Sequence, residues 1–122
     1  MPLSLSIRVE ITSLHPQDFN GTHLKKTGTV LTVFTADWCP FCIKFKPIFE
    51  STPDAKGTTK AIVDLTDLEN PLWEIFDIRV VPTVVVFKDG EPVIRKDGVL
   101  GRGLPEDAMT EVIQRMEAAK VT

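Results

Sequence analysis

Short apolar runs alternate along this chain with segments whose apolar residues recur at helical spacing. The clearest run is Thr-Val-Val-Val-Phe at residues 83–87. Consecutive β-branched and apolar residues are typical of a strand buried on both faces. The sequence predicts strands over residues 5–11, 30–35, 60–65, 83–87 and 92–96. Between the last two, Asp89-Gly90 is a hairpin signal, and Pro92 marks the following strand as an edge strand.

Four segments predict helices. From Pro40 to residue 49, four apolar side chains fall on one helical face, and Pro47 inside that face predicts a kink. Residues 105–116 show the same spacing, whereas residues 16–26, interrupted by Gly21, and residues 69–76 predict weaker helices. The resulting order, β-α-β-α-β-α-β-β-α, predicts one α/β domain over residues 1–122, with parallel pairing early and antiparallel pairing late.

Length and charge restrict the classes of function. A chain of 122 residues suits a single domain, and its net charge of −3 lacks the basic character of a nucleic-acid binder. No apolar stretch is long enough to span a bilayer. The first ten residues lack the basic and apolar regions of a secretory signal. We therefore expect a cytoplasmic protein without nucleic-acid or membrane partners.

The chain has two cysteines, Cys39 and Cys42, and they lie three residues apart. A secreted disulfide scaffold of this length usually carries more cysteines, spread along the chain. A bridge between these two would close a very short loop, so it would stabilise the fold little. The pair is better suited to chemistry than to stability.

The position of the pair supports this interpretation. The segment Ala36-Asp37-Trp38-Cys39-Pro40-Phe41-Cys42 lies between a predicted buried strand and a predicted helix. Cys39 is therefore expected at a helix N-terminus, where free N–H groups and the helix dipole favour a negatively charged sulfur. The thiolate is the nucleophile of disulfide exchange. Cys42, one turn further in, should be less exposed and placed to attack a mixed disulfide.

Other interpretations of these residues remain open at this stage. A zinc half-site would need two more ligands, and the histidines, His15 and His23, lie far upstream. The two cysteines could also be inert buried thiols, and Trp38 could be a core residue instead of a surface residue. The chain has no glycine-rich nucleotide-binding motif, so we expect no bound cofactor and no metal.

Several motifs, in order, resemble the thioredoxin family over roughly residues 7–119. They are Trp38-Cys39-x-x-Cys42 after an apolar strand, Pro47, Ile78-Arg79-Val80-Val81-Pro82-Thr83, Lys88-Asp89-Gly90-Glu91, and Gly98. The resemblance implies a thioredoxin fold, in which a five-stranded mixed sheet is flanked by four helices in three α/β/α layers. It also implies that the bond before Pro82 is cis, where a turn of ordinary trans geometry is the alternative.

The resemblance further implies a protein-disulfide reductase. Cys39 would attack protein disulfides and Cys42 would resolve the mixed disulfide, leaving a reversible Cys39–Cys42 disulfide. Pro40 and Phe41 would complete the environment of the cysteines. The backbone of Val81 would pair with an extended substrate segment. The implied substrate-binding residues are Trp38, Val80, Val81, Pro82 and Gly98. A thioredoxin reductase would be the electron donor, and the protein would be a monomer.

The sequence departs from the family at two places. Pro40-Phe41 replaces Gly-Pro between the cysteines, from which we expect a more oxidising reduction potential. Val33 occupies the position of a buried aspartate that serves as proton relay for the second cysteine. Lys60 matches the lysine that accompanies that aspartate, and without the acid we expect Lys60 to be a solvated residue at a strand end. The resolving step should then be slow near neutral pH.

Three alternative functions remain. The Cys-Pro-Phe-Cys sequence is compatible with a glutaredoxin-like enzyme, although the turn at Lys88-Asp89-Gly90-Glu91 lacks the glycine-rich pattern that holds glutathione in that family. An oxidase or isomerase domain is a second alternative, but such a domain is usually exported. The third is a non-catalytic thioredoxin-like binding module, which often lacks one cysteine.

Overall fold

A central sheet organises the part of the chain that the computed structural model describes, residues 11–53 and 57–121. The strands are β1 (Ile11–Leu14), β2 (Phe19–Asn20), β3 (His23–Leu24), β4 (Thr29–Thr35), β5 (Thr58–Asp64), β6 (Thr83–Lys88) and β7 (Glu91–Lys96). The helices are α1 (Pro40–Ser51), α2 (Leu72–Ile75) and α3 (Ala108–Ala119), with a 3₁₀ turn at Pro16–Asp18.

Five strands form the main sheet in the order β1-β5-β4-β6-β7. β4 pairs in parallel with β5 and antiparallel with β6, while β1 and β7 form the two edges. The parallel pair is joined by α1, and the antiparallel pair β6–β7 by a turn in which Asp89 and Gly90 both have positive φ. These angles are those of a hairpin turn of the primed type. The expected five-stranded mixed sheet, parallel early and antiparallel late, is confirmed.

Apolar side chains cover both faces of this sheet. On one face, Phe45 and Phe49 of α1 and Val112 and Met116 of α3 pack in one buried cluster. The opposite face carries a second cluster, to which α2 and the β2–β3 hairpin contribute. Because its strands are covered on both sides, β4 has only apolar and threonine side chains, and six of its seven residues are buried.

The first predicted helix, over residues 16–26, is wrong. After the 3₁₀ turn, β2 and β3 form a short antiparallel hairpin around Gly21, whose φ is +62°. The hairpin pairs Phe19 with Leu24, and both side chains enter the same core cluster. The N–H of Leu24 also donates to the carbonyl of Gly90, at 2.9 Å. Tertiary contacts therefore outweigh a weak helical pattern here, and three α-helices occur among the described residues instead of four.

The other predicted elements agree more closely. The last four predicted strands match β4 to β7 within two residues at each end, and helix α1 begins at Pro40 and continues through Pro47. The short helix of residues 69–76 is a single turn, α2, and the last helix begins at Ala108. The predicted strand of residues 5–11 lies outside the described residues except for Ile11, where β1 begins.

Lys60 is not the solvated strand-end residue that the sequence suggested. Its side chain is buried, and its ammonium donates to the carbonyl oxygens of Glu50, at 3.1 Å, and Thr52. These carbonyls belong to the last turn of α1 and its C-cap, where a helix lacks internal donors and favours a cation. Along the sheet, Lys60 lies opposite Leu31, and the residue opposite Val33 is Ile62. Lys60 therefore caps a helix. At the position of the aspartate that the family usually has, Val33 pairs with Ile62, so both residues there are apolar.

Thr32 in β4 allows the energetic cost of a buried, unsatisfied hydroxyl to be measured. Its side chain is fully buried, and its hydroxyl has no hydrogen-bond partner among the described residues. An unsatisfied buried hydroxyl costs about 1–3 kcal/mol. We expect Thr32→Val to raise the free energy of unfolding by about 1 kcal/mol, measured by urea denaturation.

A matched control comes from the same strand. The Thr29 hydroxyl is buried and donates to the carbonyl of Val121, at 2.5 Å. Thr29→Val should therefore lower the free energy of unfolding by about 1 kcal/mol. Equal destabilisation by both substitutions would contradict the assignment of Thr32 as unsatisfied.

Candidate active site

The two cysteines meet at the junction between β4 and α1. β4 ends at Thr35, and Cys39 is the N-cap residue of α1, with Pro40 in the first helical position, where no N–H is needed. The sulfur of Cys39 accepts a hydrogen bond from the backbone N–H of Cys42, at 3.2 Å. As the sequence predicted, Cys39 lies at the N-terminus of a helix, a position where the helix dipole and the N–H of Cys42 favour negative charge on its sulfur.

The segment that precedes β6, Val81-Pro82, approaches Cys39. The Cys39 thiol donates to the carbonyl oxygen of Val81, at 3.4 Å. The bond between Val81 and Pro82 is cis, as the resemblance implied. Gly98 lies against this segment so closely that an added Cβ would be 2.5 Å from the Pro82 oxygen and 3.2 Å from a methyl of Val80. The structure thus brings together Cys39 and the predicted residues Val80, Val81, Pro82 and Gly98.

Exposed aromatic side chains adjoin the buried thiols. Cys39 is 5% exposed and Cys42 is 3% exposed, so Cys42 is the less exposed of the two only by a small margin. Trp38 is 51% exposed and Phe41 is 37% exposed. Trp38 is therefore a surface residue, and the alternative of a core residue is wrong. Trp38 and Phe41 thus place exposed aromatic surface on either side of Cys39 in the chain.

The orientation of Trp38 depends on a residue that the sequence analysis missed. The ring of Trp38 stacks on that of Trp73 at the start of α2, with centroids 6.2 Å apart and planes 9° apart. The Trp38 indole N–H donates to the Thr66 carbonyl, at 2.9 Å, and the Thr66 hydroxyl accepts from the N–H of Asp37. Trp73 is the only other tryptophan of the chain. That fact was the available signal, but nothing in the spacing linked it to Trp38.

Phe41 contacts the loop that follows β7. A Cβ added to Gly103 would lie 2.6 Å from the Phe41 Cβ, and Gly103 has a φ of +69°, so glycine is required there twice over. Gly103 pairs with Val99 across this loop. Phe41, the second residue between the cysteines, therefore packs closely against Gly103 in the loop that follows β7.

The Cys42 thiol has a strongly shifted acidity. Burial, followed by its hydrogen bond with Cys39, raises the pKa of Cys42 to about 11, while hydrogen bonds from the Thr35 hydroxyl and the Ala36 backbone act in the opposite direction. Val33, which replaces the expected acid, is buried between Ile62 and Val84 of the neighbouring strands. Cys42 is therefore a protonated thiol at neutral pH. Val33 and Ile62 form an apolar pair at the place where the family usually has a base.

Within residues 11–53 and 57–121, no group of three or more histidine, cysteine or acidic side chains is arranged to hold a metal ion. His23, one of the two histidines considered as ligands, contacts Glu91 at the β6–β7 turn, at 3.1 Å. None of the described helices has the length and apolar character that crossing a membrane requires.

The raised pKa of Cys42 predicts loss of stability at alkaline pH. A thiol in an unfolded chain ionises near pH 8.5, whereas folded Cys42 ionises near pH 11. Between these values the folded state binds more protons than the unfolded state, so the free energy of unfolding falls as pH rises. Urea denaturation of the reduced protein from pH 8 to 11 measures this fall. Cys42→Ser should show a smaller fall, and an equal slope in both proteins would contradict the assignment.

Comparison with known proteins agrees with this geometry. The sequence profile of the thioredoxin family matches residues 10–115. The chain is 35% identical to a thioredoxin of Staphylococcus saprophyticus, over 74% of this chain and 84% of that protein. It is 32% identical to a chloroplastic M-type thioredoxin of Arabidopsis thaliana, over 88% of this chain but only 54% of that protein. A mutant thioredoxin from Halobacterium salinarum superposes with a TM-score of 0.64 at 28% identity, covering 87% of this chain and 89% of that chain. The chain belongs to the thioredoxin family.

Proposed function

We propose that this thiol–disulfide oxidoreductase is a protein-disulfide reductase with Cys39 as nucleophile and Cys42 as resolving residue. The observation that carries the proposal is the position of Cys39 as N-cap of α1, where its sulfur accepts the N–H of Cys42. This position favours the Cys39 thiolate. Cys42, which burial keeps protonated, cannot compete as the first nucleophile.

The reaction transfers two electrons in two exchanges. The Cys39 thiolate attacks one sulfur of a substrate disulfide, and the other substrate sulfur leaves as a thiolate that takes a proton from water. Cys42 then loses its proton and attacks the Cys39 sulfur. The bond between Cys39 and the substrate breaks, and the second substrate sulfur leaves as a thiolate. The substrate is reduced, and the protein retains a Cys39–Cys42 disulfide.

The surroundings of Cys39 support an extended protein segment as substrate. The Val81 carbonyl lies 3.4 Å from the Cys39 sulfur, so a segment paired with the backbone of Val81 would pass directly beside the nucleophile. Exposed Trp38, on which Trp73 stacks, offers an apolar surface next to Cys39, and Val80 and Gly98 lie close together beside Pro82.

The partner proposals follow from the same chemistry. An oxidised Cys39–Cys42 pair must be reduced again before another turnover, and we propose that a thioredoxin reductase supplies the electrons, with no cofactor bound to this chain. Turnover as a reductase requires a compartment that keeps thiols reduced, such as the cytoplasm. We propose that the protein acts there as a monomer.

Substitution of each cysteine separates the two exchanges. Cys39→Ser should reduce insulin disulfides no faster than the uncatalysed background, because it lacks the nucleophile. Cys42→Ser should complete the first exchange and then accumulate a mixed disulfide at Cys39, which mass spectrometry detects. Each variant should retain the wild-type far-ultraviolet circular dichroism.

Two of the alternative functions have different outcomes in this experiment. A non-catalytic binding module would show no turnover even as the wild type. A glutaredoxin-like enzyme would keep activity in Cys42→Ser when glutathione is supplied, because glutathione can then resolve the mixed disulfide. Persistent activity in Cys39→Ser would contradict the proposed function outright.

The Pro40-Phe41 pair is expected to make the protein more oxidising than a Gly-Pro protein. With proline in the first helical position and not the second, the N–H of Phe41 joins that of Cys42 in the first turn of α1. These N–H groups stabilise the Cys39 thiolate and hence the reduced form. The double variant Pro40→Gly, Phe41→Pro should have a reduction potential lower by roughly 30 mV, which corresponds to about 1.4 kcal/mol.

Equilibration against glutathione buffers, followed by thiol trapping, measures both potentials. Phe41→Leu is the matched control: it keeps the N–H of residue 41 and should stay close to the wild type. A double variant with a potential equal to or higher than that of the wild type would contradict this explanation.

A further inference from the structure

A cavity of about 540 Å³ reaches Cys42 from the side of β4 that faces away from Val81. It lies where the ends of β4 and β5 face α1, and Thr35, Ile62, Asp64 and Lys46 are among its lining residues. Asp64 and Lys46 are exposed, so the mouth of the cavity meets solvent. Cys42 therefore has a second approach to water, separate from the surface where Cys39 meets a substrate.

The strand register explains why this cavity has a polar wall. Thr35 follows Val33 by two residues, so both side chains lie on the same face of β4. Ile62 is opposite Val33, and Asp64 is opposite Thr35. The apolar pair Val33–Ile62 is therefore followed, two residues further along the strands, by the polar pair Thr35–Asp64. Thr35 lines the cavity together with Cys42, and its hydroxyl acts to lower the pKa of the Cys42 thiol, which favours the thiolate.

We propose that Thr35 is a positioning residue that stabilises the Cys42 thiolate during the resolving step, and that the Cys42 proton leaves to water through this cavity. The inference rests on the proposed function. In this proposal, a neutral hydroxyl and a path to solvent together replace the buried acid at position 33 that would otherwise accept the Cys42 proton.

The proton and electrons of this step balance. The S–H bond of Cys42 breaks, and its proton passes to a water molecule that enters the cavity and carries it to solvent. The electron pair left on the Cys42 sulfur, stabilised by the Thr35 O–H donor, forms the bond to the Cys39 sulfur. The bond between Cys39 and the substrate sulfur breaks, and its electron pair leaves with the substrate.

Thr35 is a neutral donor that lines the cavity beside Cys42, and charged and titratable groups lie around the two residues. Those that face Cys42 are Cys39 and Lys46 of the α1 segment, Asp37 of the loop after β4, and Asp64 of β5. The carboxylate of Asp64 accepts from the N–H of Thr66, at 2.9 Å, and from the Thr66 hydroxyl, so it is directed toward the loop after β5. Among the described residues of β1, Ser13, which carries no charge, lines the cavity.

The test follows the two exchanges separately with dithiobisnitrobenzoate, an aromatic disulfide whose thiolate product is coloured. Stopped-flow mixing with the reduced protein should show one colour release for attack by Cys39 and a second for resolution by Cys42. In Thr35→Val, we expect the second phase to be about tenfold slower at pH 7, and its pH profile to move to higher pH by about one unit, because a hydrogen bond to an anion is lost. The first phase should be unchanged.

Two further variants separate this role from a structural one. Thr35→Ser keeps the hydroxyl and should restore the wild-type rate and pH profile of the second phase. Thr32→Val removes a hydroxyl from the opposite face of the same strand, away from the cavity, and should leave both phases unchanged.

The outcomes distinguish failure of this inference from failure of the proposed function. An unchanged pH profile in Thr35→Val, or equal slowing of both phases, would overturn the role of Thr35. The first phase should disappear in Cys39→Ser. If it persisted there, the proposed function itself would be wrong, whatever the behaviour of the Thr35 variants.

Discussion

The start of helix α1 against the end of β4 is the constraint on which the rest of the site depends. Because Cys39 is the N-cap residue, its sulfur lies at the positive end of the helix dipole and accepts the N–H of Cys42. The same geometry places Cys42 one turn deeper, where burial keeps it protonated. One helix terminus therefore gives two chemically identical side chains different surroundings.

The environment of Cys42 combines an apolar pair in the sheet with a cavity that opens to solvent. Val33 and Ile62 pack as an apolar pair, which avoids the desolvation cost of an acid and a lysine in the core. Polar side chains reappear two residues later, at Thr35 and Asp64, where the strands end and water can approach. The alternation of a β-strand makes this possible, because residues two apart share a face.

The far end of α1 depends on a different charge. Lys60 extends from β5 to the carbonyls of Glu50 and Thr52, and the ring of Phe49 lies 5.9 Å from its ammonium. A cation at a helix C-terminus interacts favourably with the helix dipole. Helix α1 therefore has the Cys39 sulfur at its N-terminus and a buried lysine at its C-terminus, and this lysine ties its last turn to the sheet.

The local pattern of residues was sufficient to predict β4, α1, the β6–β7 hairpin and the cysteine pair at the start of a helix. These features depend on interactions between near neighbours in the chain: β-branched runs, a first-turn proline and an Asp-Gly turn. The family resemblance added Val81, Pro82 and Gly98, whose closeness to Cys39 no spacing could show.

Only the tertiary structure decided what depends on residues far apart in the chain. The segment 16–26 became a hairpin because Phe19 and Leu24 enter a shared core, and a weak helical pattern cannot compete with that burial. The pairing of Lys60 with the end of α1, and of Trp38 with Trp73, likewise depends on strand register and helix packing. Sequence by itself determined that Cys39 lies at the start of a helix, because a helix start is local. The acidity of Cys42 was decided by burial, which exists only once the sheet and α1 have packed together.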